Sequence, residues 1–133
     1  GLYMVCNLID KGEIPLISKE AAITTYIASL VRSVRFGAAG AHGRANMMCY
    51  NFLKDNGAFE RNKDGLYHIN YDKVPEVVAA WAELIITTQA TGNYMFAKEY
   101  DTNHAVVPEA LSADIANVNR GGVPVDIRFE FVW

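Results

Sequence analysis

The stretch from Asp72 to Gly92, DKVPEVVAAWAELIITTQATG, limits the folds open to this chain more than any other. Val74, Val77, Val78, Trp81, Leu84 and Ile85 recur every three to four residues, the period of one helix face. Asp72 is placed to cap the helix start. Pro75 is tolerated in a first turn, whose amides have no helix partner, and Gly92 stops the run. A helix this long with a broad apolar stripe needs other elements to cover it.

The rest of the chain supplies them. After an apolar opening, GLYMVCNLI, the segment DKGEIP reads as a turn punctuated by Gly12 and Pro15. Ser18 can cap a second helix from about Lys19 to Phe36, with Ile23, Ile27, Leu30, Val31 and Val34 on one face and Gly37 at its end. A third helix is expected from about Gly40 to Asn56, with Ala41, Ala45, Met48, Cys49 and Phe52 as its apolar face and Gly57 after it. FERNKDGLYHI reads as a hairpin with Gly65 at the positive-φ position. Asn93 caps a helix to about Asn103, and Pro108 opens another through about Asn117. VPVDIRFEFVW then alternates apolar and charged residues, the pattern of a half-buried strand. The expected class is mainly α: a bundle-like helical segment with a small β-hairpin and a C-terminal strand. No repeat or linker divides residues 1–133, so a single domain is expected.

Composition narrows the partners. The net charge of -3 argues against a nucleic-acid or anionic-membrane surface. The apolar runs fall short of the ~18 residues of a membrane span. Cys6 and Cys49 each sit in apolar surroundings and read as reduced core thiols of an intracellular, cytoplasmic protein. Apolar residues make up 51% of the chain before its 10 glycines are added. The usual figure is ~45–50% with glycine included. Some apolar surface is therefore expected to meet something outside the chain, and the chain by itself to self-associate or bind a hydrophobic dye. The uncapped opening, without an initiating Met, leads to the expectation of a start inside a helix of a larger protein.

Chemistry concentrates in GAAGAHGRANMM, Gly37 to Met48. No histidine has a second His or Cys at zinc-like spacing, so no metal site is expected in this chain. His42 falls in the first turn of the third helix, where the dipole favours a neutral ring able to donate one hydrogen bond. At 100° per residue, Asn46 shares its flank, whereas Arg44 points about 160° away. Read from the residues alone, His42 is either a boundary histidine satisfied by a neighbouring carbonyl, the commoner case, or a donor to an oxyanion. Gly43 inside the helix costs ~1 kcal/mol against Ala and wants a packing reason. Close backbone packing is the ordinary one, and clearance for a substrate the sharper one. Arg120, in NVNRGG, is either a solvated loop charge or a carboxylate binder. The tyrosines at 67, 71, 94 and 100 are spread over different elements and read as packing.

In order, GLYMVC, YIASLVRSVRFG, AHGRANMMCYNFL, TGNYMFAKEY and GGVPVDIRFEFVW resemble the C-terminal part of the dipeptidyl-peptidase III family, zinc exopeptidases that release dipeptides from peptide N-termini. The resemblance spans essentially the whole chain. It implies that GLYMVC follows the family's EExRA(D/E) zinc motif, and that every zinc ligand, in HExxGH and in that motif, lies upstream of Gly1. The chain alone is then expected to bind no zinc and cleave nothing, with the remainder of its own polypeptide as partner and an oligopeptide as the parent's substrate. In the parent the zinc would activate a water, with the HExxGH Glu as base. His42 matches the family histidine that supports the developing oxyanion. Many members carry Arg four residues later, where this chain has Asn46, so no ionic role carries over to that position. Arg44 matches an Arg of some bacterial members, and Arg120 a basic residue near the substrate. Asn46 and Arg120 are thus candidate substrate contacts. The competing expectation is a non-catalytic helical scaffold or interaction module in a parent without working zinc motifs.

Overall fold

The computed structural model describes residues 1–35 and 37–122. Six helices and one hairpin occur in them: α1 (Leu2–Asp10), α2 (Lys19–Val34), α3 (Ala41–Asp55), β1 (Phe59–Arg61), β2 (Tyr67–Ile69), α4 (Val74–Thr91), α5 (Tyr94–His104) and α6 (Glu109–Arg120). The mainly helical class with a small hairpin is the one the periodicities imply. The expected end of the second helix at Phe36 and the expected strand in residues 123–133 lie outside the described residues.

Local chemistry explains most boundaries. The Ser18 hydroxyl accepts the Ala21 N–H at 3.1 Å and caps α2, while Lys19 pairs with Asp10 at 2.5 Å, joining the end of α1 to the start of α2. Asn93 Oδ1 accepts the Phe96 N–H at 3.1 Å and caps α5. Gly92 ends α4 with φ +61, the left-handed conformation that favours glycine. The hairpin pairs Phe59 with Ile69, Glu60 with His68 and Arg61 with Tyr67. Its loop is held by Asn62 Oδ1, which accepts the amides of Asp64 and Leu66 at 3.0 and 2.8 Å.

Three expectations need correction. Asp72 does not cap α4: the residue before the helix is Lys73, and Asn70 gathers its N–H through both the side-chain and main-chain oxygens. The run Asn70–Lys73 is itself a turn, so the cap moves two residues upstream. Helix α6 continues three residues past Asn117, through Arg120. The third correction concerns α3. Its buried residues are Gly43, Met47, Cys49, Tyr50 and Leu53, whereas Ala41 and Ala45 are exposed.

The reason is that α3 is central. It packs against α2, α4, α5 and β1. It therefore carries apolar residues on two sides, and periodicity alone does not say which side closes. The Met47–Tyr50 side closes over the core, where Ile23, Met47, Tyr50, Leu53, Phe59 and Leu111 are all less than 2% exposed. The Ala45–Met48–Phe52 side meets α4 and α5, which cover it only in part. Phe52 stacks at a tilt on Trp81 with ring centroids 5.1 Å apart, but α5 has no buried residue at all. The α4 stripe follows the same division. Val74, Val77 and Val78 are buried, Trp81, Leu84 and Ile85 are half-buried, and Ile86 is exposed.

Candidate functional site

The first turn of α3 is assembled from pieces remote in sequence. Gly40 is the residue before the helix, and the Arg44 N–H closes its first hydrogen bond onto the Gly40 carbonyl at 3.0 Å. Gly43 is buried under the preceding loop. A Cβ there would lie 2.3 Å from the Gly37 carbonyl oxygen and 2.8 Å from Ala38 Cα, both backbone atoms. The space that glycine leaves at position 43 is thus filled by the chain's own loop. That loop turns back at Gly37 with φ +93. Close backbone packing is the reason for Gly43.

His42 is exposed, and its side chain forms no hydrogen bond or ion pair among the described residues. Its neighbours are engaged. Asn46 Nδ2 donates to Ser33 Oγ of α2 at 2.5 Å. Arg44 turns to the other side and forks onto Asp101 of α5: Nε to Oδ1 at 2.9 Å, Nη2 to Oδ2 at 2.6 Å. That hydrogen-bonded pair raises the guanidinium pKa further and holds the Asp101 carboxyl below the usual carboxylate range. Asn46 and Arg44 thus reach different neighbours, α2 and α5, as their separation on the helical wheel implies. Arg120 ends α6 and donates to Asn117 one turn back in its own helix. It is not in a loop, because α6 runs through it. No hydrogen bond or ion pair links it to His42 or Asn46 among the described residues.

Beside this turn lies an open apolar groove of about 310 Å³ between α3, α4 and α5, lined by Ala45, Met48, Trp81, Ile85, Phe96 and Tyr100. A second recess, of about 250 Å³, lies between α1, α2, α3 and α4, where Cys49 Sγ and Tyr26 OH meet at 3.2 Å. Burial raises the pKa of both groups, which keeps the thiol protonated and unreactive at neutral pH. Cys6 is likewise buried and free.

The most developed polar cluster is elsewhere. Arg61 on β1 forks onto Asp114 of α6 with two hydrogen bonds of 2.7 Å, Tyr67 OH donates to the same carboxylate at 2.8 Å, and Tyr50 OH meets Tyr67 OH at 3.2 Å. The Arg61 hydrogen bonds lower the Asp114 pKa, while burial raises that of Tyr67. This cluster joins the hairpin, α3 and α6. Neither it nor the Ser33 and Asp101 partners can be picked out in the sequence, because the members of each pair lie 13 to 57 positions apart. One signal did exist: Arg44 and Asp101 each lie at the end of a helix that disfavours their charge.

Among the described residues no three His, Cys, Asp or Glu side chains come together to hold a metal ion. None of the described helices is long and apolar enough to cross a membrane.

No family profile matches the chain. Its structure is similar to dipeptidyl-peptidase III from Caldithrix abyssi, with a TM-score of 0.84 and 31% identity over 95% of this chain. It is equally similar to dipeptidyl-peptidase III from Corallococcus sp. strain EGB, at 0.84 and 32% over 96%. The chain spans 24% and 23% of those two proteins, so it matches one part of each. A curated protein of Arabidopsis thaliana, Nudix hydrolase 3, is 29% identical over 131 residues, which are 98% of this chain and 17% of that one. The resemblance to dipeptidyl-peptidase III read from the sequence is matched in three dimensions along nearly the whole chain.

Proposed function

We propose, from a chain that matches about a quarter of dipeptidyl-peptidase III in fold and sequence, that it is one portion of a zinc exopeptidase of that kind. The parent releases N-terminal dipeptides from oligopeptides in the cytoplasm. Its zinc ligands lie upstream of Gly1, and the rest of that polypeptide covers the apolar groove beside α3. The segment alone binds no catalytic zinc and cleaves nothing.

Within the parent, His42 donates a hydrogen bond to the oxyanion that develops on the scissile carbonyl. The observation that carries this role is its isolation. Gly43, Arg44 and Asn46 around it are all engaged with the protein's own elements, whereas His42 stands exposed on the first turn with no partner among the described residues. A donor held on a fixed turn with nothing to bind in the free protein is suited to charge that appears only in the transition state. Asn46 Oδ1 and the outer N–H groups of Arg120 are the atoms left to those residues for a substrate.

The test is a dipeptide-arylamide assay of the intact parent protein. His42→Ala should lower kcat ~10²–10³-fold, as removal of one oxyanion donor does. Wild-type turnover in that variant removes the catalytic role. A second reading is favoured by the name of the Arabidopsis relative, which refers to different chemistry in a protein of which this chain matches 17%. On that reading this chain is a non-catalytic helical module of its parent. The sequence upstream of Gly1 decides between the two: intact HExxGH and EExRA(D/E) motifs support the peptidase, and their absence supports the module.

A further inference from the structure

Arg44 and Asp101 sit where their charges harm their own helices. Arg44 lies in the opening turns of α3, at the positive pole made by unpaired amides. Asp101 lies in the last turn of α5, at the negative pole made by unpaired carbonyls. Neither residue helps the element that carries it, so each is explained only by the other. With side chains 38% and 39% exposed, the pair also contributes little to global stability. What it does supply is geometry. Two N–H groups of one planar guanidinium bind two oxygens of one carboxylate, with a longer contact from Nη2 to the Asp101 carbonyl at 3.4 Å, so direction as well as distance is set.

This clasp is one of three attachments on the same turn. Asn46 holds its other flank to α2, and Gly43 seats it under the Gly37–Ala38 backbone. We infer that Asp101, acting through Arg44, is a positioning residue that sets the rotation of the first turn of α3 and thereby the direction of the His42 imidazole. Asp101 touches no substrate in this arrangement. The inference rests on the role of His42 proposed above, and the experiment is arranged so that the two fail separately.

Four variants of the intact parent protein are compared: His42→Ala, Asp101→Asn, Arg44→Asp, and the exchange of Arg44→Asp with Asp101→Arg. The exchange restores an ion pair and moves each charge to the helix end that favours it, so folding is kept. Loosened positioning should lower kcat of Asp101→Asn and Arg44→Asp about ten-fold, with KM little changed. The exchange should recover most of that loss. In Asp101→Asn, hydrogen exchange at the Arg44 amide should quicken while exchange at Tyr50 and Leu53, deep in the same helix, stays as in the wild type. Wild-type kcat in Asp101→Asn beside an impaired His42→Ala overturns this inference and leaves the proposed function standing. Wild-type kcat in His42→Ala overturns both. Failure of the exchange to recover what the single variants lose overturns the positioning role and makes Arg44 a charge needed for itself.

Discussion

Two Arg–Asp forks of nearly the same geometry join different elements of this molecule, and their surroundings differ. Arg61 and Asp114 are 22% and 14% exposed and share their carboxylate with Tyr67, whose hydroxyl reaches on to Tyr50 in the core. Arg44 and Asp101 are more than a third exposed, and among the described residues no tyrosine or second side chain joins them. A fork backed by further hydrogen bonds and little solvent helps to close a fold, because breaking it strands buried polar groups. A fork open to water is worth little in stability but still fixes where a helix end points. The first joins the hairpin and α6 to the core; the second directs the turn that bears His42.

The sharpest way to break this contrast is at the anchor of α6. Leu111 is fully buried, and Leu111→Ala should cost about 2–5 kcal/mol in urea denaturation, since α6 then hangs on the Asp114 cluster. Gly43→Ala is expected next, at about 1–3 kcal/mol, because its methyl group meets backbone atoms that cannot rotate away. It should also displace the loop at Gly37, visible as changed amide shifts there. Tyr67→Phe removes one hydroxyl from the closed cluster and should cost about 1 kcal/mol, with no comparable change from Phe substitution of the exposed Tyr94.

The smallest effect sharpens the comparison through pH. Arg61 holds the folded Asp114 carboxyl below its ordinary value. Its contribution is therefore present above the unfolded carboxylate pKa of about 3.9 and is lost as pH falls through the lower folded value. Acid titration of stability should show a shallower loss below about pH 4 in Asp114→Asn than in the wild type. Asp101 is shifted in the same direction, but its exposure screens the effect, so Asp101→Asn should follow the wild-type acid profile closely. Equal changes from the two substitutions would erase the distinction between the forks.

Residue patterns alone determined which segments are helices, that a hairpin turns at Gly65, that Ser18 and Asn93 cap their helices, and that Asn46 and Arg44 leave α3 on different sides. These follow from period, capping chemistry and the φ freedom of glycine, all of which act within a few residues. The match to a portion of dipeptidyl-peptidase III was legible too, because motif order along the chain survives as fold. Tertiary structure alone decided which of the two apolar sides of α3 is buried, and that Gly43 makes room for its own loop. It alone paired Asn46 with Ser33, Arg44 with Asp101 and Arg61 with Asp114. Those outcomes depend on which helices arrive on either side of α3, and no local pattern carries that information between positions 13 to 57 apart in the sequence.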